Sequence, residues 1–300
     1  MATPVIDCRD LSKRYGKSDV FALKQLTLHV NAGEVYGFLG PNGAGKSTAI
    51  RTLLNFIQPT SGTATIAGFD IVKDSVAIKQ RIGYLAGDIA LYPKATGAEL
   101  LDYLFALQGA DGSAYRRTLE KRFEADLTRP INSLSKGNRQ KIGIIQAFMH
   151  QPDVLILDEP TSGLDPLMQE AFHETVNEAR DRGAAILMSS HNLTEAQRIS
   201  DRVGIIKHGK LIHEQAITGA TDLGKPVFRV VLVNTAQLTK LKKAAHLKFL
   251  SKESGATGLF QATGKLSDAL KTLSAYDIQE LTTQQLSLED EFLEFYGEIK

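Results

Sequence analysis

A glycine-rich stretch at residues 40–47 carries the clearest chemical pattern in the chain. Its sequence, GPNGAGKS, matches G-x-x-x-x-G-K-[ST] at every fixed position. Glycines let such a loop turn its backbone N–H groups inward around a phosphate, because no Cβ obstructs them. The Lys46 side chain then reaches the β- and γ-phosphates, and the Ser47 hydroxyl binds Mg²⁺. We therefore predict a binding site for a nucleoside triphosphate.

The flanking residues supply the context that this pattern requires. Residues 34–39 (EVYGFL) are typical of a short buried strand, and residues 47–56 have the apolar spacing of a helix. This order places the positive end of the helix dipole behind the phosphate. The predicted phosphate-binding residues are Gly40, Pro41, Asn42, Gly43, Ala44, Gly45, Lys46, Ser47 and Thr48.

Two further apolar runs end in residues that can do chemistry. Residues 154–157 (VLIL) are typical of a strand covered on both faces, and Asp158 and Glu159 follow at its carboxyl end. Two adjacent carboxylates there cost desolvation energy unless a metal or a water network receives them. Residues 184–190 form a second such run, followed by His191. From position alone, His191 fits a functional contact and an ordinary packed or capping residue equally well.

Two polar segments have more than one interpretation on residue types alone. Tyr15 lies in a turn and suits stacking on a base, although an aromatic residue in a loop more often packs locally. Ser135, in the stretch LSKGNRQ, suits the cap of the helix that follows, whose first N–H groups are then free to meet a ligand. An ordinary capped surface helix explains the same residues.

Composition limits the classes of protein. The chain has 300 residues, 43% hydrophobic and 23% charged, which is ordinary for a globular protein. Its net charge of +1 provides no global field to attract nucleic acid or acidic lipid, and the single cysteine, Cys8, excludes an intrachain disulfide. The first residues lack the features of a secretion signal, and no run approaches the roughly 18 apolar residues of a membrane span. We therefore expect any membrane role to involve another polypeptide.

The order of the predicted elements indicates an α/β fold with a mixed sheet core. Residues 5–11 and 22–30 alternate apolar and polar side chains, which predicts an antiparallel β edge. A largely helical subdomain is expected at about residues 88–150, where Thr96 and Glu99 have the spacing of a capping box.

A second, smaller domain is expected after a linker. Residues 219–226 combine glycine, proline and polar side chains. Beyond them we predict three strands, two helices and a final amphipathic helix at residues 286–296, which together form a small α+β unit. The predicted domains are therefore residues 1–220 and residues 221–300.

Together these motifs resemble the ATP-binding subunit of an ABC transporter. The likeness covers about the first 220 residues and rests on GPNGAGKST, LSKGNRQ, VLILDEPTSGLDP and a histidine after a strand, in that order. It implies a P-loop ATPase domain of the ABC type that uses ATP and Mg²⁺. LSKGNRQK and residues 287–292 are similar to the exporter branch, in which the permease is a separate membrane protein.

The resemblance assigns roles to individual residues. It implies that Lys46, Glu159 and His191 are catalytic: Glu159 polarises the attacking water and His191 contacts the γ-phosphate. It implies further that Asp158 holds Mg²⁺ through water, beside Ser47. Tyr15 matches the aromatic residue that stacks on adenine.

The resemblance also implies partners. Ser135 and Gly137 match signature residues that meet the ATP bound to the opposite subunit, so we expect a head-to-tail homodimer or a pair with a similar ATPase subunit. ATP hydrolysis would drive substrate export through an integral-membrane permease, with the chain bound peripherally at the cytoplasmic face of the cell membrane. No nucleic-acid partner is expected.

Two segments depart from the family pattern. Gly87 and Asp88 stand where the family commonly has a glutamine, so that either Asp88 takes over the contact with Mg²⁺ and water or the contact is lost. Lys136 and Asn138 stand where many relatives have glycine and glutamine. Since the signature serine and glycine nearest the phosphate are retained, we expect function to persist.

Other classes of nucleotide-binding protein fit less well. The alternative is an ABC-type ATPase that acts on DNA or ribosomes, but the chain has no heptad tract and has one P-loop rather than two. A GTPase would carry an Asn-Lys-x-Asp motif, which is absent from the sequence. The presence of both Glu159 and His191 disfavours a nucleotide sensor without activity.

Overall fold

The computed structural model describes residues 4–16, 20–87, 92–109, 113–217 and 227–284. The chain divides into two compact units, Met1–Ile217 and Thr218–Lys300. Asp88, the linker segment and the final amphipathic helix expected from the sequence lie outside the described residues.

The described strands of the first unit form two sheets. The strands are β1 (Ile6–Arg14), β2 (Phe21–Val30), β3 (Val35–Leu39), β4 (Ser61–Ile66), β5 (Phe69–Asp70), β6 (Ile82–Leu85), β7 (Val154–Asp158), β8 (Ala185–Ser190), β9 (Arg202–Lys207) and β10 (Lys210–Ala216). Six of these described strands form the central sheet, in the order β10-β9-β3-β8-β7-β6, with antiparallel pairing only between β10 and β9. The rest form an antiparallel sheet in the order β2-β1-β4-β5. The predicted α/β fold with a mixed sheet and an antiparallel edge is confirmed.

The described helices of this unit include two that the sequence did not predict. They are α1 (Lys46–Leu53), α2 (Ser75–Lys79), α3 (Gly97–Gln108), α4 (Ser113–Phe123), α5 (Lys136–Phe148), α6 (Pro166–Asp181) and α7 (Leu193–Ile199), with a 3₁₀ turn at Ile131–Ser133. α2 and α7 have five and seven residues, too few to show a helical apolar period. None of the described helices is long and apolar enough to span a bilayer.

The predicted capping box begins α3. Thr96 Oγ1 accepts a hydrogen bond from Glu99 N at 3.2 Å, and Glu99 Oε2 accepts one from Thr96 N at 2.8 Å. Each side chain satisfies a backbone N–H that has no partner within the helix, so the start of α3 is fixed by local sequence.

The strands in the middle of the central sheet are mainly apolar because both faces of the sheet are covered. All five residues of β7 are buried. Leu155 and Leu157 pack into one core with Phe172 of α6, whereas Val154 and Ile156 pack into the core on the opposite face. Alternate side chains of a strand point to opposite faces, so an unbroken apolar run fits a sheet between two layers.

The second unit has its own core. Its described elements are β11 (Val227–Leu232), α8 (Thr235–Leu241), β12 (Leu247–Lys252), β13 (Thr257–Ala262), α9 (Leu266–Leu273) and β14 (Ile278–Gln284). The strands form an antiparallel sheet in the order β12-β13-β11-β14, the arrangement of a ferredoxin-like β-α-β-β-α-β unit. Phe228 and Phe260 pack with Leu238 and Leu241 of α8 and Leu273 of α9.

One strand of this unit was not predicted from the sequence. The sequence predicted no strand at β14, whose residues (IQELTTQ) are mostly polar and lack a clear apolar alternation. β14 pairs along β11 at the edge of the sheet, and this pairing, rather than its own composition, determines its conformation.

Replacement of Phe172 with alanine should destabilise the first unit by about 3–5 kcal/mol, because the side chain is fully buried and its removal leaves a cavity. Denaturant unfolding would measure the loss. Leu167→Ala on the same helix is the matched control. Leu167 is 71% exposed, so its removal should change the free energy of unfolding by no more than about 0.5 kcal/mol. Equal effects of the two changes would contradict the assigned core.

Candidate active site

The carboxyl ends of three neighbouring parallel strands meet at one edge of the central sheet. β8 lies between β3 and β7, and Asp158 of β7 is paired with Ser189 of β8. The glycine-rich loop follows β3, Glu159 follows β7 and His191 follows β8. Parallel pairing therefore brings residues from three distant segments into one site.

The glycine-rich loop passes close to its neighbours before it enters α1. Gly45, the residue before α1, has a φ of 116°, and a Cβ on it would lie 2.7 Å from the carbonyl oxygen of Ala22. Only glycine fits this conformation and this approach. The first N–H groups of α1 have no partners within the helix, so the loop and the helix start suit an anion.

The Lys46 ammonium group lies inside this loop. Lys46 is 5% exposed, and its Nζ donates hydrogen bonds to Gly40 O at 2.5 Å and Pro41 O at 3.4 Å. Nζ is also 3.3 Å from Glu159 Oε1. These oxygens compensate the burial of the charge and hold the cation beside a carboxylate from another strand.

The carboxylates at the end of β7 are held by β8. Asp158 is buried, and its Oδ1 accepts a hydrogen bond from Ser189 Oγ at 2.5 Å. Glu159 N donates to Ser189 O at 3.2 Å and to Ser189 Oγ at 3.1 Å. Glu159 Oε2 lies 2.5 Å from His191 Nδ1. The Glu159 carboxylate thus lies between Lys46 and His191.

Glu159 has an unusual backbone conformation. Its φ of 50° is left-handed, which costs a non-glycine residue of the order of 1–3 kcal/mol. Such strain persists only where the surrounding contacts enforce it, and it is concentrated at functional sites.

A pocket of about 430 Å³ opens over these groups. Its described lining residues are Ala22, Pro41, Asn42, Gly43, Gly45, Lys46, Ser47, Thr48, Arg51, Gly87, Asp158, Glu159, Ser162 and His191. Most of the residues predicted to bind phosphate or metal, or to act on water, therefore line this one pocket. Sequence reasoning missed Ala22, Arg51 and Ser162 as lining residues, because no motif marks them. Arg51 places a second cationic side chain at the pocket.

The signature residues Ser135 and Gly137 are not among the described residues that line this pocket. Ser135 caps α5, and its Oγ accepts a hydrogen bond from Asn138 N at 3.2 Å, as expected for an N-cap. Gly137 instead approaches the turn after β7, where a Cβ on it would lie 2.8 Å from Gly163 O. The nucleotide contacts predicted for Ser135 and Gly137 stay predictions.

Tyr15, Gly40 and Ala44, which were also predicted to bind nucleotide, are not among the described residues that line the pocket. Tyr15 is 47% exposed, and Lys13 Nζ lies 5.4 Å from the centre of its ring. Gly87 lines the pocket next to Asp158, but Asp88 falls among the residues that are not described. The roles predicted for Tyr15 and Asp88 likewise stay predictions.

A further carboxyl near the site was not marked by any sequence pattern. Burial raises the pKa of Glu195 on α7, a hydrogen bond with Thr161 partly offsets this, and the charge of Glu159 raises it again. A half-buried acidic group whose pKa is raised by burial and by a neighbouring carboxylate is a candidate functional residue.

The donor set fits Mg²⁺ bound together with phosphate. In the part of the chain that the structure describes, no cluster of three or more His, Cys, Asp or Glu side chains could hold a metal ion alone. Ser47 and Asp158 supply a hydroxyl and a carboxylate to one pocket. Mg²⁺ prefers oxygen ligands and commonly takes few from protein, with phosphate and water completing its shell.

These features define a class of protein. A glycine loop between a strand and a helix, a buried lysine in the loop and carboxylates at the end of a parallel strand are the parts of a P-loop nucleoside triphosphatase.

Comparison with known proteins identifies the family. The family model described as ABC transporter matches residues 23–162. The ABC transporter ATP-binding protein NatA of Bacillus subtilis is 37% identical over 221 residues, which are 71% of this chain and 90% of NatA. The bacitracin transport ATP-binding protein BcrA of Bacillus licheniformis is 32% identical over 301 residues, 98% of this chain and 97% of BcrA. The chain belongs to the ABC transporter family and is an ATPase, so the predicted family and activity are confirmed.

Solved structures agree with this assignment. The ATP-binding subunit of an ABC transporter matches with a TM-score of 0.67 at 31% identity, covering 73% of this chain and 91% of that one. The dimeric bacterial ABC transporter cassette MJ0796 matches with a TM-score of 0.66, covering 71% of this chain and 99% of that one. At 23% identity, the second likeness supports the fold alone.

Replacement of Lys46 with alanine should weaken ATP binding by roughly 10–100-fold, the usual effect of losing a hydrogen bond to a charged group. Titration calorimetry would measure the dissociation constant. Lys79→Ala is the control, since Lys79 is exposed and lies over the Phe56 ring, outside this pocket. Unchanged affinity in the Lys46 variant would remove Lys46 from the nucleotide site.

Proposed function

We propose that the chain is the ATP-hydrolysing subunit of an ABC exporter, that it works as a head-to-tail pair, and that a separate permease forms the membrane path. The observation that carries the proposal is the contact of Glu159 with both Lys46 and His191 at the mouth of the nucleotide pocket. The pair would bind peripherally at the cytoplasmic face of the membrane, through the permease.

Each group in the pocket has a defined task in this proposal. The loop N–H groups and Lys46 would bind the phosphates, and Ser47 and Asp158 would hold Mg²⁺. When bound, Mg²⁺ neutralises charge that develops on the phosphoryl oxygens. Bringing negative charge next to Asp158 and Glu159 without such cations would be unfavourable, since like charges repel at short range.

Glu159 acts on the attacking water. Its Oε2 accepts a hydrogen bond from His191 when Nδ1 carries a proton, which would orient the carboxylate and hold His191 toward the γ-phosphate. Phosphoryl transfer depends mainly on positioning and on charge stabilisation, and both are available at this contact.

The second subunit would complete the site. Ser135 and Gly137 begin α5 but do not belong to the described lining of their own chain's pocket. In a head-to-tail pair, the start of α5 would point its unpaired N–H groups at the γ-phosphate of the opposite subunit. The dimer of the MJ0796 cassette offers a precedent for pairing in this fold.

Replacement of Glu159 with glutamine should lower ATP turnover by about 10²–10⁴-fold, the usual contribution of a general base. ATP should still bind, so that the subunits accumulate as an ATP-bound pair. Phosphate release and light scattering would measure the two effects. Glu174→Gln, an exposed change on α6, is the control. Near-normal hydrolysis in the Glu159 variant would exclude the assigned role.

The start of the helical region offers a surface for the permease. An apolar pocket of about 470 Å³ is lined by Tyr92, Pro93, Lys94, Ala95, Glu99, Leu100 and Tyr103. Tyr92 and Tyr103 are 60% and 53% exposed, and their rings meet edge to face at 6.3 Å. Exposed aromatic side chains around an apolar depression are typical of a protein contact. We therefore assign the described residues between 92 and 107 to the relay between ATPase and permease.

Tyr103→Glu should uncouple transport from hydrolysis, because the new charge would be buried against the permease. Basal ATPase should stay within about twofold of the wild-type value, since Tyr103 does not line the nucleotide pocket. Substrate export would be measured in vesicles that contain the permease. Phosphate release would be measured on the same preparation. Thr118→Glu, an exposed change on α4, is the control. Loss of hydrolysis in parallel with transport would argue against a relay.

A further inference from the structure

The side chain of Gln140 contacts the backbone that carries Glu159. Gln140 lies on α5 and is 1% exposed. Its Nε2 donates a hydrogen bond to Pro160 O at 2.6 Å and lies 3.4 Å from Glu159 O. Because both neighbours are carbonyl oxygens, the amide nitrogen must face the turn and the amide oxygen must face away. Gln140 does not belong to the described lining of the nucleotide pocket.

The contact of Gln140 is the second of two that restrain the backbone on either side of Glu159. The N–H of Glu159 is fixed by Ser189 of β8, and the peptides that follow Glu159 are fixed by Gln140. The left-handed φ of Glu159 lies between these two attachments. Release of either attachment would let the backbone relax toward a commoner conformation and would turn the Glu159 side chain away from Lys46 and His191.

Two other contacts fasten the same end of α5 to the same turn. Lys136 Nζ donates a hydrogen bond to Ser162 Oγ at 2.9 Å, and the backbone of Gly137 packs against Gly163. Gln140 lies one turn further along the helix and is the buried member of this set. It is therefore the contact most shielded from competing water.

We propose that Gln140 is a positioning residue for hydrolysis: its buried amide holds the turn after β7 so that the Glu159 carboxylate faces the attacking water. The inference rests on the proposed role of Glu159. It predicts an effect on turnover and not on nucleotide affinity, since Gln140 acts through the backbone of Glu159 and does not touch the phosphate groups. A small displacement of a catalytic group is enough to slow a reaction strongly.

Gln140→Met tests this in the full-length chain, because methionine has a similar length and no N–H donor. We expect kcat to fall by roughly 10–100-fold. The ATP dissociation constant should stay within about twofold of the wild-type value. Gln146→Met is the matched control, an identical change on the same helix that lines a different cavity. Its kcat should stay at the wild-type value.

A second readout separates positioning from a general loss of structure. In a Glu159→Gln background, Gln140→Met should still allow the ATP-bound pair to accumulate, because Glu159 is already disabled and binding is unaffected. A general structural role would abolish the pair. Near-wild-type kcat in Gln140→Met, or a parallel loss of ATP affinity, would overturn the inference.

Gln140→Glu provides a further test if methionine is not accommodated. The ionised carboxylate would repel Pro160 O, whereas the protonated form can donate a hydrogen bond to it. Its kcat relative to wild type at the same pH should therefore rise as the pH falls. A constant ratio would overturn the inference.

If Glu159→Gln itself retains full hydrolysis, the proposed function fails first, and that outcome is distinct from a failure of the role proposed for Gln140 alone.

Discussion

The structure depends on the parallel pairing of β3, β8 and β7. Pairing in this order brings three loops from distant parts of the sequence to one edge of the sheet, with β8 in the middle. Ser189 of β8 then contacts both Asp158 and Glu159. Because both faces of these strands are buried in apolar cores, a shift in their register would expose a core face, and the loops are held in place.

The site pairs a buried cation with carboxylates, and burial of either charge without the other would be unfavourable. Lys46 is surrounded by backbone carbonyls and the Glu159 carboxylate, and Asp158 is bonded to Ser189. Apart from Lys46, the glycine loop adds backbone N–H groups and no formal charge. A polyphosphate with its metal ion fits this arrangement, since the amides and Lys46 attract the phosphate oxygens and the carboxylates attract the cation.

Much of the site was predictable because its motifs act locally. The glycine loop, Lys46 and Ser47 belong to one short segment, and Asp158 and Glu159 follow a strand that its own apolar run reveals. The cap of α3 by Thr96 was predictable for the same reason. In each case, the residues that interact are only a few positions apart.

Other features could not be predicted because they depend on long-range contacts. β14 is a polar strand that is fixed by pairing with β11, and α7 is too short to show a period. Gln140 is nineteen positions from Glu159, yet its amide reaches that turn. The pKa of Glu195 is raised by burial and by the charge of Glu159. Neither the burial of Glu195 nor its proximity to Glu159 can be read from the sequence.

The sequence by itself determined the class of chemistry, the family and the order of most of the elements, because glycine, lysine and carboxylate motifs express local backbone and charge requirements. Only the tertiary structure decided how these groups meet. The left-handed turn at Glu159, its contacts with Lys46 and His191, and the attachment of α5 through Gln140 all arise from the packing of distant segments. That packing is a property of the whole fold, since no single segment can form those contacts alone.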